Sequence, residues 1–201
     1  MSVDAAVAAL RSGRLVVLPT DTVYGLAADG ESEAAARALY AAKGRDAIQP
    51  TAVLFASVDV LLERVPGLSA SAVDAVRTLL PGPFTLVLEN PVRRYAWLNP
   101  ERPDAIGVRI PAVTGAARAV LEALGAVVAT SANLPGGVDP CRVEEVPPDI
   151  VAVVDVVVDG GELPGTPSTV VDLTGSAPHV LREGAVPAAD VLERLRGLTD
   201  R

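Results

Sequence analysis

An arginine inside an apolar strand pattern must meet an anion or forfeit several kcal/mol of solvation. Arg109 stands in such a place, within IGVRIP. An internal Asp or Glu would answer it, and so would a bound carboxylate. In PTDT, Thr20 and Thr22 flank Asp21, and an i, i+2 spacing at a strand edge turns both hydroxyls to one side. Such hydroxyls donate and accept without bringing charge, although a hydroxyl-stabilised turn explains them equally. AAKGR puts Lys43 in the last turn of a helix and Arg45 just past Gly44. The pair either compensates a helix C-terminus or clamps phosphates, Arg45 as a planar fork and Lys43 as a point charge. VVATSANLPGG ends a buried strand with Ser131 and Asn133 before a Gly-rich turn. These two could meet a ligand or cap a helix. GTPSTVVDL brings Ser168 and Thr169 into a strand, and Arg182 follows a last strand in HVLREG. All of these groups stand at strand ends, where open α/β sheets place their ligands.

Several chemistries are excluded by what is missing. With one cysteine, Cys141, and one histidine, His179, no internal disulfide and no zinc cluster can form. His179 sits in an apolar strand pattern and reads as core, and no G-x-S-x-G elbow occurs, which argues against a serine hydrolase with a histidine base. The common glycine-rich nucleotide loops are absent too. Seventeen basic against 25 acidic residues give a net charge of −8, with only three Tyr, two Phe and one Trp. An extended nucleic-acid surface needs clustered cations and exposed rings, so a small anionic ligand held by a few convergent cations fits better.

The elements that must position these groups follow from periodicity. Helices are expected at VDAAVAALRSG, ESEAAARALYAAKG, VDVLLERV, SASAVDAVRTLL with Ser69 as cap, TGAARAVLEALG and AADVLERLRG. Strands are expected at RLVVLP, VYGLAAD, TAVLFAS, FTLVLE, IGVRIP, AVVAT, VVDVVVDGG, TVVDLT and HVLREG. Irregular alternation of this kind predicts one α/β domain over residues 1–201, with a mixed, twisted sheet flanked by helices. The stretch from Leu134 to Asp149 reads as a long loop, which in a compact domain tends to be functional. No apolar run approaches the roughly 18 residues of a membrane span, and no secretory signal is visible. The expectation is a soluble, cytoplasmic protein.

Taken together, PTDTVYGL, AAKGR, PGPFTLVL, VRIP, TSAN, GTPSTVVDL and LREGAV occur in an order and spacing that resemble the YrdC-like family, the threonylcarbamoyl-AMP synthases. The resemblance covers about residues 14 to 186. It implies a twisted, mostly antiparallel open α/β sheet with a large concave cavity. It also implies synthesis of threonylcarbamoyl-adenylate from L-threonine, bicarbonate and ATP with release of pyrophosphate. Magnesium would bridge the phosphates, and a separate machinery would carry the group to tRNA, which this chain would contact weakly at most. By motif position, Thr20, Thr22, Arg109, Ser131 and Ser168 would hold threonine. Lys43, Arg45, Asn133 and Arg182 would hold ATP, with Lys43 and Arg45 catalytic, and no metal-ligating residue is expected. Asp46, Gln49 and Leu54 depart from the family pattern. The chain ends at Arg201 without the second domain of the long form, which leaves closure of the site to another segment, with the Leu134 to Asp149 loop as candidate. Two other readings remain open: a paralogue acting on another carbamoyl compound, and a non-catalytic RNA-binding module.

Overall fold

A computed structural model describes residues 2–44 and 51–199. The order of elements is α1 (Val3–Arg11), β1 (Val16–Pro19), β2 (Tyr24–Asp29), α2 (Glu33–Ala42), β3 (Ala52–Phe55), α3 (Val58–Arg64), α4 (Ala70–Leu79), β4 (Phe84–Glu89), β5 (Ala105–Arg109), α5 (Gly115–Leu124), β6 (Ala126–Ser131), α6 (Pro148–Val151), β7 (Val156–Val157), β8 (Thr169–Asp172), β9 (His179–Arg182) and α7 (Ala188–Thr199). Serine hydroxyls start the early helices by accepting otherwise orphaned amides. Ser2 takes the N–H of Ala5, Ser32 that of Ala35, Ser57 that of Val60 and Ser69 that of Ala72.

The described strands form one sheet in the order β7-β1-β2-β6-β3-β5-β4-β8-β9. β1 with β7, β3 with β5 and β4 with β8 run parallel, and the other neighbours run antiparallel. Alternation along each strand divides the buried residues between two faces. One face carries Val17, Leu26, Val53, Val108 and Leu86 against Leu39 of α2, Leu61 of α3, Val76 of α4 and Val191 of α7. Each such side chain, once fully buried, contributes roughly 1.5–3 kcal/mol, so this face anchors the whole width of the sheet.

The other face is covered only in part. Val16, Leu18, Ala27, Leu54 and Val127 pack with Leu10 of α1 and Val120 and Leu121 of α5. Beyond those two helices the same face of β3, β4, β5 and β8 presents Ala52, Thr85, Val87, Gly107 and Val170 to an open cavity.

Two expectations are corrected here. His179 is exposed rather than core, because β9 lies at the sheet edge beside β8 alone, and strand patterning does not reveal which strand is last. The stretch from Leu134 to Asp149 is no plain loop: it holds a 3₁₀ turn at Val143–Glu145 and enters α6 behind Pro148. It is also pinned, Tyr24 N–H donating to the Pro140 carbonyl at 2.9 Å and Leu163 N–H to that of Cys141 at 2.8 Å. The valine-rich run that follows lies beside β1 through Val156 and Val157, with Asp155 and Val158 N–H donating to the Leu15 and Val17 carbonyls, both at 2.9 Å.

Candidate active site

The cavity on the uncovered face has a volume of about 400 Å³, within the range of small-molecule sites. Its walls bring together Arg109, Ser131, Ser168 and Arg182, which are far apart in the chain. A smaller recess of about 40 Å³ shares Arg109, Thr130 and Ser131 with it and adds Thr20 and Leu54.

The β1–β2 turn builds one wall. Thr20 Oγ1 donates to the Val23 carbonyl at 2.7 Å and accepts the N–H groups of Thr22 and Val23, both at 3.2 Å. With its single proton so used, Thr20 is the acceptor in its 2.9 Å bond to Thr22 Oγ1. The Thr20 hydroxyl therefore serves the turn, and it orients the hydroxyl of Thr22.

Arg109, the last residue of β5, crosses to this turn. Its Nη2 donates to Asp21 Oδ1 at 2.8 Å and to Thr22 Oγ1 at 3.1 Å. Asp21 Oδ2 accepts the Ala112 N–H at 3.0 Å, tying the turn to the segment after β5. The pair is deeply placed, the two side chains being 11% and 9% exposed. Burial pulls the Arg109 guanidinium below its ordinary pKa, Asp21 opposes that fall, and the like charge of Arg182 adds to it. Asp21 thus supplies the internal anion that the sequence demanded, yet only in part. Arg109 Nε is buried and has no hydrogen-bond partner among the described residues, so the guanidinium that lines the cavity is left partly unsatisfied by the protein.

A second wall is organised around the end of β6. Lys43, 4% exposed, donates from Nζ to the Ser131 carbonyl at 2.7 Å and to Asn133 Oδ1 at 2.9 Å. Ser131 Oγ donates to the same Asn133 oxygen at 2.8 Å. The Asn133 amide nitrogen donates to the Gly137 carbonyl at 2.8 Å and to Asp139 Oδ1 at 2.9 Å. Asn133 therefore has both donors and both acceptor sites engaged. It joins Lys43, Ser131 and Asp139 from behind the wall.

The third wall comes from β8 and β9. Ser168, 2% exposed, shares a 2.8 Å hydrogen bond with Thr85 Oγ1. Arg182 Nη2 donates to the Ser168 carbonyl at 2.8 Å and to its hydroxyl at 3.2 Å. Close backbone approach makes this possible: a Cβ on Gly184 would lie 2.2 Å from the Pro167 carbonyl oxygen, so only glycine fits.

Of the residues expected from sequence, Arg109, Ser131, Ser168 and Arg182 line the cavity and Thr20 lines the recess. Thr22 is bonded to Arg109, and Lys43 and Asn133 stand behind Ser131. Arg45, with Asp46 and Gln49, lies outside the described residues. Leu54 is buried under α5 and reaches the recess. Sequence reasoning missed Asp21 as the Arg109 partner, and Thr85, Arg102 and Asp139 as lining residues. A threonine at a core-alternating position of FTLVLE was the available signal for Thr85. Arg102 carried none, and it is held at the cavity edge by Thr174 Oγ1 at 3.1 Å and Asp172 at 3.6 Å.

Comparison with known proteins gives this geometry a family. The model of the Sua5/YciO/YrdC family, described as "Telomere recombination", matches residues 8–184. The chain belongs to the Sua5/YciO/YrdC family. A Pyrococcus abyssi member named threonylcarbamoyl-AMP synthase is 34% identical over 186 residues, 90% of this chain and 54% of that protein. The chain thus spans about half the length of that relative. A Mycobacterium leprae relative is 36% identical over 197 residues, 96% of this chain and 87% of its own length. Among solved structures, Pyrococcus abyssi Sua5 complexed with L-threonine superposes with a TM-score of 0.85 at 32% identity, over 96% of this chain and 56% of that one. The mixed, mostly antiparallel sheet flanked by helices is therefore the Sua5/YciO/YrdC fold.

Proposed function

We propose that this chain synthesises threonylcarbamoyl-adenylate from L-threonine, bicarbonate and ATP, releasing pyrophosphate, for threonylcarbamoyladenosine modification of tRNA. One observation carries the reading: the Arg109 guanidinium lines the cavity together with Ser131, and the protein satisfies it only in part, its buried Nε having no hydrogen-bond partner among the described residues. A carboxylate would complete that guanidinium by a charge-assisted bond, and the neighbouring hydroxyls suit a small hydroxylated amino acid. The Sua5 complex with L-threonine and the relative named threonylcarbamoyl-AMP synthase support the same substrate and product.

In this reading threonine occupies the Arg109 end, near Thr22, Ser131 and Ser168. ATP lies toward Lys43, Arg45, Asn133 and Arg182. Asn133 would have to exchange one of its internal bonds to touch the nucleotide, so its first task is to hold Lys43 and Ser131. The free threonine amine combines with bicarbonate to give a carbamate with loss of one water, and a carbamate oxygen then attacks the α-phosphorus as pyrophosphate leaves. No protein nucleophile is needed. Alignment and cations at the developing charge do the work, and Lys43, Arg45 and Arg182 supply the cations. Among the described residues no group of three or more His, Cys, Asp or Glu side chains converges. Magnesium would arrive on the phosphates and neutralise part of their charge when bound.

We read residues 1–201 as one domain working in the cytoplasm, the adenylate passing to a separate transfer machinery. Asp139 lines the cavity, which makes its segment the candidate for closing the site. The deciding assay is pyrophosphate release. It should require threonine and bicarbonate together, and ATP turnover indifferent to both would remove the proposal.

A further inference from the structure

The proposed reaction leaves Asp21, the ionic partner of Arg109 in the β1–β2 turn, without a task. Asp21 is 9% exposed, and both its oxygens are taken, one by Arg109 Nη2 and the other by the Ala112 N–H. It does not line the cavity or its recess and has no role in phosphate binding, where its charge would be adverse. What it does is cancel a charge. Arg109 is the charged side chain that lines the amino-acid recess, and Asp21 neutralises it from within the wall. The next cation, Lys43, is joined to a carboxylate as well, through the Asn133 amide to Asp139. Arg182 lies on the exposed β9 across the main cavity, and its charge is the smallest of the influences on Arg109.

We propose that Asp21 is a specificity-determining positioning residue, which neutralises Arg109 so that the recess admits a zwitterion and rejects a plain carboxylate of the same shape. The inference rests on the reading that this recess takes L-threonine. A monoanion entering beside the Arg109–Asp21 couple brings one uncompensated charge into a poorly solvated place, which is costly. An amino acid with its ammonium brings none. Without Asp21 the balance inverts: Arg109 becomes an unpaired buried cation, and its best complement is a monoanion. The arrangement also keeps the hydroxy acids of metabolism out of a site whose chemistry needs an amine.

The test is calorimetric titration of the full chain with L-threonine and with the hydroxy acid that carries a hydroxyl in place of the α-ammonium on the same carbon skeleton. The wild type should prefer threonine by about thirtyfold or more, as expected for one uncompensated buried charge. Asp21→Asn should narrow that preference by about tenfold or more, chiefly by binding the hydroxy acid more tightly, and Asp21→Glu, which keeps the charge, should preserve it. A purely structural role would weaken both ligands together and leave the ratio alone. A folded Asp21→Asn with a preference unchanged within about twofold overturns the inference. Should that variant not fold, the wild type decides: equal affinity for the two ligands overturns the inference, and a clear preference for threonine sustains it. A wild type that binds neither ligand brings down the functional reading and this inference together, whereas an unchanged ratio removes this inference alone.

Discussion

Arg109 was the residue whose position could not be innocent. A guanidinium placed among apolar strand residues carries its own prediction of a partner, and the structure answers with Asp21, 88 residues away in sequence. The choice between an internal anion and a ligand is answered on the protein's side by Nη2, which serves Asp21 and Thr22, while Nε has no partner among the described residues. Arg109→Ala should therefore lower threonine affinity by about ten- to hundredfold, the loss of a charge-assisted hydrogen bond, and leave ATP binding within about twofold. Arg45→Ala should do the reverse. Calorimetry with each ligand separately checks both, and matching losses for the two ligands would show the halves of the pocket to be misassigned. Arg109→Ala also leaves Asp21 buried and unpaired, at a cost of about 3 kcal/mol. Arg109→Ala combined with Asp21→Asn should recover much of that loss in urea unfolding, since no isolated charge remains.

At the scale of elements, the ends of β8 set both edges of the cavity. At its start, Gly184 lies so close to Pro167 and Ser168 that Gly184→Ala must push β9 away. The expected cost is about 1–3 kcal/mol in stability, with Arg182 displaced from the Ser168 carbonyl and ATP affinity falling further than threonine affinity, which drops to the extent that Ser168 itself shifts. Urea titration and calorimetry together test this. At its other end, burial alone would raise the pKa of Asp172, but hydrogen bonds from Thr174 and the charge of Arg102 prevail and hold it below the usual range. A carboxyl depressed in the folded state binds fewer protons there than in the unfolded chain. It therefore contributes stability above the unfolded pKa of about 4 and loses it as pH falls through the lower folded value. Asp172→Asn should lower the neutral plateau of the stability profile and flatten its acid limb below about pH 4, the two profiles converging at low pH. Thermal melting across that range measures it.

For the molecule as a whole, the sheet has two faces with unequal cover, and that inequality makes the site. α2, α3, α4 and α7 close one face, while α1 and α5 close half of the other. The net charge of −8 opposes a role as an RNA grip, because backbone contacts need released counterions and therefore clustered cations. Filter binding to tRNA at physiological salt should accordingly detect at most weak retention. Tight binding that weakens steeply with added salt would return the RNA-module reading to the front. No described helix is long and apolar enough to cross a membrane.

Local physics made much of this legible without coordinates. Ser69 announced α4 because a cap acts within one turn, and FTLVLE announced β4 because alternation is a property of the strand itself. The order and spacing of the motifs, rather than any one of them, pointed to Arg109, Ser131, Ser168 and Arg182, which the fold brings to one cavity. Tertiary structure alone decided the rest. His179 looked like core until β9 turned out to be an edge, and Asp21 looked like a turn residue until the β1–β2 turn folded across the end of β5. Both facts depend on which segments, distant in sequence, come to lie side by side, and no local propensity encodes that.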